Sequence, residues 1–127
     1  MNGIKLVIDT NIALYLLNGD TTVQEILDGN FLSISTITEM ELRAFPSISE
    51  IEMESIKSFC DAVDIVGLSL PIKETAIEIR RTKNLKLPDA IIAATAIHLD
   101  TPFLTADRTF ERVENLNLML YQPGILP

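Results

Sequence analysis

Between each strand-like run of this sequence and the next lies a stretch with helical periodicity, and no other feature constrains the fold as much. The strand-like runs are Ile4 to Ile8, Phe31 to Ser35, Asp64 to Leu70 with a glycine interruption, Phe103 to Thr105 and Leu118 to Tyr121. Strands that alternate with helices pair as a parallel sheet covered on both faces. The expectation is an α/β fold: one domain spanning residues 1–127, with a central parallel sheet of four or five strands and helices on both faces.

The helical stretches carry their own punctuation. Thr10-Asn11 starts a helix through Leu17, and Thr21 or Thr22 caps a second through Leu27. Thr36-Ile37-Thr38-Glu39 has the spacing of a capping box, for a helix that runs to about Phe45 before Pro46 stops it. From Ser49 the apolar positions Ile51, Met53, Ile56, Phe59, Cys60 and Val63 are helical. Pro71 opens another helix, through Ile79 and Arg80, and Pro88 a last long one. That last segment, Asp89 to Leu99, is rich in Ala and Ile on nearly every face and is expected to be deeply buried.

Charge narrows the function. Ten Lys and Arg against eighteen Asp and Glu leave a net charge of −8, which argues against binding nucleic acid by bulk charge. An acidic enzyme acting on a polyanion would need metal ions, a local basic patch or a partner chain to offset repulsion. The single cysteine, Cys60, offers neither a disulfide nor a Cys-rich metal site. No apolar run reaches the roughly 20 residues of a membrane span, so a cytoplasmic chain without membrane association is expected.

Four carboxylates stand where local structure gives little reason for acid. Asp9 directly follows the first strand and Asp107 closely follows the fourth, both at carboxyl ends, where open α/β sheets bind ligands. Asp89 opens the most apolar helix. Glu41 lies two residues past Glu39, about 200° around its helix, so that one acid can cap while the other faces a site. Each has a plainer reading as a cap, a turn residue or a solvated side chain. A shared sheet edge is what capping alone would not require.

Such acids suit Mg²⁺ or Mn²⁺, hard cations that take oxygen ligands and keep several waters. Phosphodiester hydrolysis is served by that arrangement. The expected catalytic set is Asp9, Glu41, Asp89 and Asp107, with Asp9, Asp89 and Asp107 as metal ligands. Asn11 and Thr105 are placed to orient carboxylates or water behind them. Arg80, Arg81, Lys83 and Lys86 put four cations within seven residues just ahead of Asp89, as a rim that could steer phosphates. His98, the one histidine, reads as a helix-end residue.

These motifs together resemble the PIN domain, and within it the VapC toxins of toxin–antitoxin pairs. Leu6-Val7-Ile8-Asp9-Thr10-Asn11-Ile12 is similar to the family's opening motif. Ser35 to Leu42 is similar to the second, whose Glu precedes Leu and so selects Glu41. Leu87 to Ala94 resembles the third motif and Leu104 to Phe110 the fourth. The resemblance implies Mg²⁺- or Mn²⁺-dependent cleavage of RNA, usually by a homodimer restrained by a cognate VapB-like antitoxin. Thr109 departs from the pattern, since many relatives carry a further acid there.

Two other readings compete. A receiver-type phosphoacceptor has similar length and an acidic Mg²⁺ pocket, but it needs an acidic pair near the start and a late Lys, and no Lys follows Lys86. The other is a catalytically silent PIN scaffold that binds RNA or protein. A mean hydropathy of +0.28 points to apolar surface that self-association or an antitoxin helix could cover.

Overall fold

The computed structural model describes residues 3–122. Five strands, β1 (Lys5–Ile8), β2 (Phe31–Ser35), β3 (Asp64–Val66), β4 (Phe103–Thr105) and β5 (Leu118–Leu120), form one sheet in the order β3-β2-β1-β4-β5. Every neighbouring pair is parallel, with Val7 opposite both Ser33 and Phe103. The α/β expectation is met with five strands.

Burial explains why β1 and β4 lie at the centre. Leu6, Val7, Ile8, Phe103 and Leu104 are all buried, and alternate side chains serve opposite faces of the sheet. Val7 and Phe103 join one apolar cluster with α5 (Leu70–Lys83) and α6 (Leu87–Leu99). Leu6, Ile8 and Leu104 join the other, with α1 (Thr10–Leu17), α2 (Thr21–Leu27), α3 (Thr36–Arg43) and α4 (Glu50–Ala62). The result is three layers, with helices on both sides of the sheet.

Helix α6 matches its sequence: Ala90 to Ala96 are seven consecutive buried residues. Small side chains let it lie close against α5 and the sheet, and Asp100 closes it in the left-handed conformation, which Asp tolerates better than most residues.

Several boundaries differ from expectation. Asp20, not Thr21 or Thr22, caps α2, accepting from the Val23 N–H at 2.9 Å. Ser35 caps α3, accepting from Ile37 at 3.0 Å, while Glu39 pairs with Arg43, so the capping-box reading at Thr36 is replaced. A reciprocal capping box forms instead at Ser49 and Glu52 of α4. The third strand stops at Val66, because Ser69 caps α5 with Pro71 in its first turn. His98 is exposed in the last turn of α6.

After β4 the chain makes a 3₁₀ turn (Arg108–Arg112). Buried Phe110 fastens that turn by packing edge-to-face on Phe103, with ring centroids 4.9 Å apart. Replacing Phe110 with Ala should cost about 3–4 kcal/mol in urea unfolding, from lost burial and the residual cavity. A loss under about 1 kcal/mol would mean that the turn is not held by this contact.

Candidate active site

Strand order reverses beside β1: β2 and β3 extend the sheet on one flank, and β4 and β5 on the other. A crevice opens at the carboxyl ends of the strands at such a switch point. Asp9 follows β1 there and Asp107 lies just beyond β4. Glu41 arrives from the last turn of α3, and Asp89 from the first turn of α6. All four line one cleft of about 400 Å³, with Thr10, Asn11, Phe45 and Phe110 among its walls.

Asp9 is 4% exposed. One carboxylate oxygen accepts from the Ile12 N–H at 2.9 Å and caps α1; the other accepts from the Thr105 hydroxyl. Thr105 in turn accepts from the Asp107 N–H at 3.0 Å. One threonine thus ties the first acid to the backbone of the last across the β1–β4 seam. Asp107 accepts from the backbone and hydroxyl of Thr109 at 2.9 and 2.8 Å. Capping and convergence are therefore not alternatives, because Asp9 and Asp107 do both.

Asn11 is exposed on the cleft wall, and Thr105 is buried beneath it. Thr10 escaped the sequence reading, where it served only as a helix start. Its hydroxyl donates to Glu41 Oε1 at 2.6 Å. The Asp-Thr-Asn run thus supplies an acid, a support for a distant acid and a wall, and only the tertiary pairing of α1 with α3 reveals the second role.

Repulsion is built into the site. Burial foremost pushes the Asp9 carboxyl up to about 6, with nearby Asp89 and Asp107 adding to the rise against the lowering effect of Thr105 and Ile12. Asp89 is also raised, first by burial, then by Asp107 and Glu41, with Lys86 opposing. Of the four sequence-nominated cations, Lys86 is thus close enough to Asp89 to act on it, but none lines the cleft. Lys83 pairs with Glu114 at 3.4 Å, Arg80 donates to Asn84 at 3.4 Å, and Arg81 is exposed.

Among the described residues no three of His, Cys, Asp or Glu are drawn tightly enough together to hold an ion by themselves. The polar part of the cleft wall is four carboxylates, the Thr10 hydroxyl and the Asn11 amide, with no His, Cys, Lys or Arg, and the rest is apolar, Leu14, Phe45, Ile92 and Phe110 among it. An open set of carboxylate, hydroxyl and amide oxygens, with net negative charge, fits a hard divalent cation that keeps much of its water. A larger groove of about 620 Å³ lies between α3 and α4, lined by Glu39, Arg43, Met53 and Cys60 among others; its acids are interleaved with Arg43 and Lys57, and Asp9, Asp89 and Asp107 are absent from it.

The sequence profile of the PIN domain matches residues 6–116. This chain belongs to the PIN domain family. Solved structures carrying this PIN fold include a toxin–antitoxin complex from Klebsiella pneumoniae, 27% identical, with a TM-score of 0.77 over 87% of this chain and 94% of that one. VapBC-1 from nontypeable Haemophilus influenzae is 24% identical, with a TM-score of 0.75 over 91% and 97%. VapBC2 from Rickettsia felis, bound to a promoter DNA fragment, is 22% identical, with a TM-score of 0.74 over 91% and 98%. No curated protein is recognisably similar in sequence. Among the described residues no helix is long and apolar enough to cross a membrane.

Asp9 binds its proton up to about pH 6 in the native state, against 3.8 as its ordinary value. Between those values the native state holds more protons than the unfolded one. Metal-free stability should therefore fall as pH rises through that window, by roughly 2–3 kcal/mol from this group. The difference between wild type and Asp9→Asn in urea unfolding across the window isolates it; a wild-type slope no different from the variant's would contradict the assignment. Asp89→Asn should leave metal-free melting unchanged or raised, as a repelling charge goes. Thr105→Val should lower stability by about 1–3 kcal/mol, since it leaves a buried Asp9 oxygen without its donor.

Proposed function

We propose that this PIN domain is a divalent-metal-dependent endoribonuclease that hydrolyses RNA phosphodiester bonds, and that it is the toxin of a type II toxin–antitoxin pair. The observation that carries the reading is the gathering of Asp9, Glu41, Asp89 and Asp107 from four separate elements around one cleft, with no cation among its walls. Family membership and the likeness to toxins solved in VapBC complexes support the same conclusion.

Asp9, Asp89 and Asp107 would hold Mg²⁺ or Mn²⁺, with Glu41 facing the same space. When bound, the ion would offset phosphate charge and make a water molecule more acidic. The chain's own residues prepare for this. Asp9 is fixed from two sides, by the Ile12 N–H and the Thr105 hydroxyl, and presents an oriented carboxylate. Thr109 fixes Asp107 through one oxygen only, its N–H and its hydroxyl both donating to Oδ1. Glu41, steadied by Thr10, can accept a proton or orient water at its free oxygen. Asn11 offers an amide on the cleft wall for a phosphate or a water.

RNA would be steered by Lys86, Arg80, Arg81 and Lys83, which lie at the end of α5 and on the way into α6, ahead of Asp89. Lys86 has the most direct support, through its effect on Asp89. Leu70 and Ile77 are 64% and 48% exposed on α5, and Phe45 is 54% exposed at the cleft rim. Such apolar surface supports a homodimer and a VapB-like antitoxin as partners. The receiver alternative finds no support in a cleft without a lysine.

The test is cleavage of a panel of structured RNAs with Mn²⁺ or with chelator. The wild type should cut only with metal, and Asp9→Asn, Asp89→Asn and Asp107→Asn should each reduce the rate at least about 100-fold while remaining folded. Inertness of the wild type toward every RNA would favour a silent binding scaffold, and undiminished cutting with chelator would remove the metal from the proposal.

A further inference from the structure

Glu41 is exposed on a short helix, yet its carboxylate is held at a definite place. The Thr10 oxygen lies 2.6 Å from Glu41 Oε1 and 3.1 Å from the oxygen of Thr38. A threonine hydroxyl has one proton to give, and an ionised carboxylate can only accept. The shorter contact and the charged acceptor assign the Thr10 proton to Glu41. The Thr38 hydroxyl must then donate to Thr10, so the chain of hydrogen bonds has one direction, from Thr38 through Thr10 to Glu41.

Thr38 is fully buried, on α3, one turn before Glu41. A residue so placed touches neither solvent nor substrate. Thr10, however, begins α1 and directly follows Asp9. The relay therefore leaves α3, crosses to α1 and returns to α3. It couples the Glu41 carboxylate to the segment that carries the first acid, which Glu41's own helix could not do alone.

We propose that Thr38 is a positioning residue: through Thr10 it orders the Glu41 carboxylate toward the cleft. The proposal rests on Glu41 taking part in the nuclease reaction proposed above. Thr38→Val, similar in volume, removes only the hydroxyl, and Thr38→Ser retains it. Crystal structures of both variants without metal should show Glu41 spread over several rotamers in the valine variant and confined to one in the serine variant. In Mn²⁺-dependent cleavage of the structured RNA panel, Thr38→Val should lower kcat about tenfold with KM unchanged, and Thr38→Ser should stay within about twofold of wild type.

Glu41 in a single unchanged rotamer in Thr38→Val would overturn the proposal, as would an equal kcat deficit in both variants. Should the wild type cut no RNA, the nuclease reading fails, while the two crystal structures still decide whether Thr38 orders Glu41.

Discussion

The cleft depends on one constraint, the burial of a carboxylate at the end of the central strand. β1 is enclosed on both faces, so the residue that ends it emerges into an environment that disfavours its charge. Asp9 is kept there by donors that the fold brings to it, the Ile12 N–H from the helix it starts and the Thr105 hydroxyl from the adjoining strand. These two bonds offset part of the burial cost, and the nearby acids add to it. A buried acid short of compensation, with neighbours of its own sign, is an arrangement that folding alone would not favour.

Parallel pairing supplies the rest. β1 and β4 are 95 residues apart in sequence when counted from Ile8 to Phe103, 103 − 8 = 95, yet their registered pairing places their carboxyl ends side by side. Thr105 then serves two acids at once, as donor to Asp9 and acceptor for the Asp107 backbone. Phe110 holds the loop beyond it against Phe103. Asp107 is therefore located by a hydrophobic contact as much as by a polar one.

Much of this was legible in the sequence because its signals were local. The strand–helix alternation announced the sheet, and acids at strand ends announced the edge where they meet. Uniform small apolar character announced the buried helix that begins near Asp89. What was hidden depended on pairings between distant elements. Thr10 and Thr38 read as helix-start residues, because nothing in the chain shows that their hydroxyls meet. Asp20 and Ser35 took the caps expected of their threonine neighbours, a shift of one residue that side-chain chemistry alone does not decide. The four basic residues near Asp89 were legible as a cluster, but their direction was not: Lys83 and Arg80 have partners on the surface, and only Lys86 acts on the site.

The all-round burial of α6 gives the cleft an uneven mechanical character. Asp89 is anchored to an element packed against helix and sheet on every side, and Asp9 and Asp107 to the seam of the sheet itself. Glu41 alone rides on a two-turn helix whose outer surface meets solvent. Local opening follows the least protected structure first, so of the four acids Glu41 stands on the element with the least packing around it, and its hold on the rest of the site passes through the Thr10 hydroxyl. Three of the acids thus share a rigid frame of sheet and buried helix, and the fourth is moored to it by a single hydroxyl.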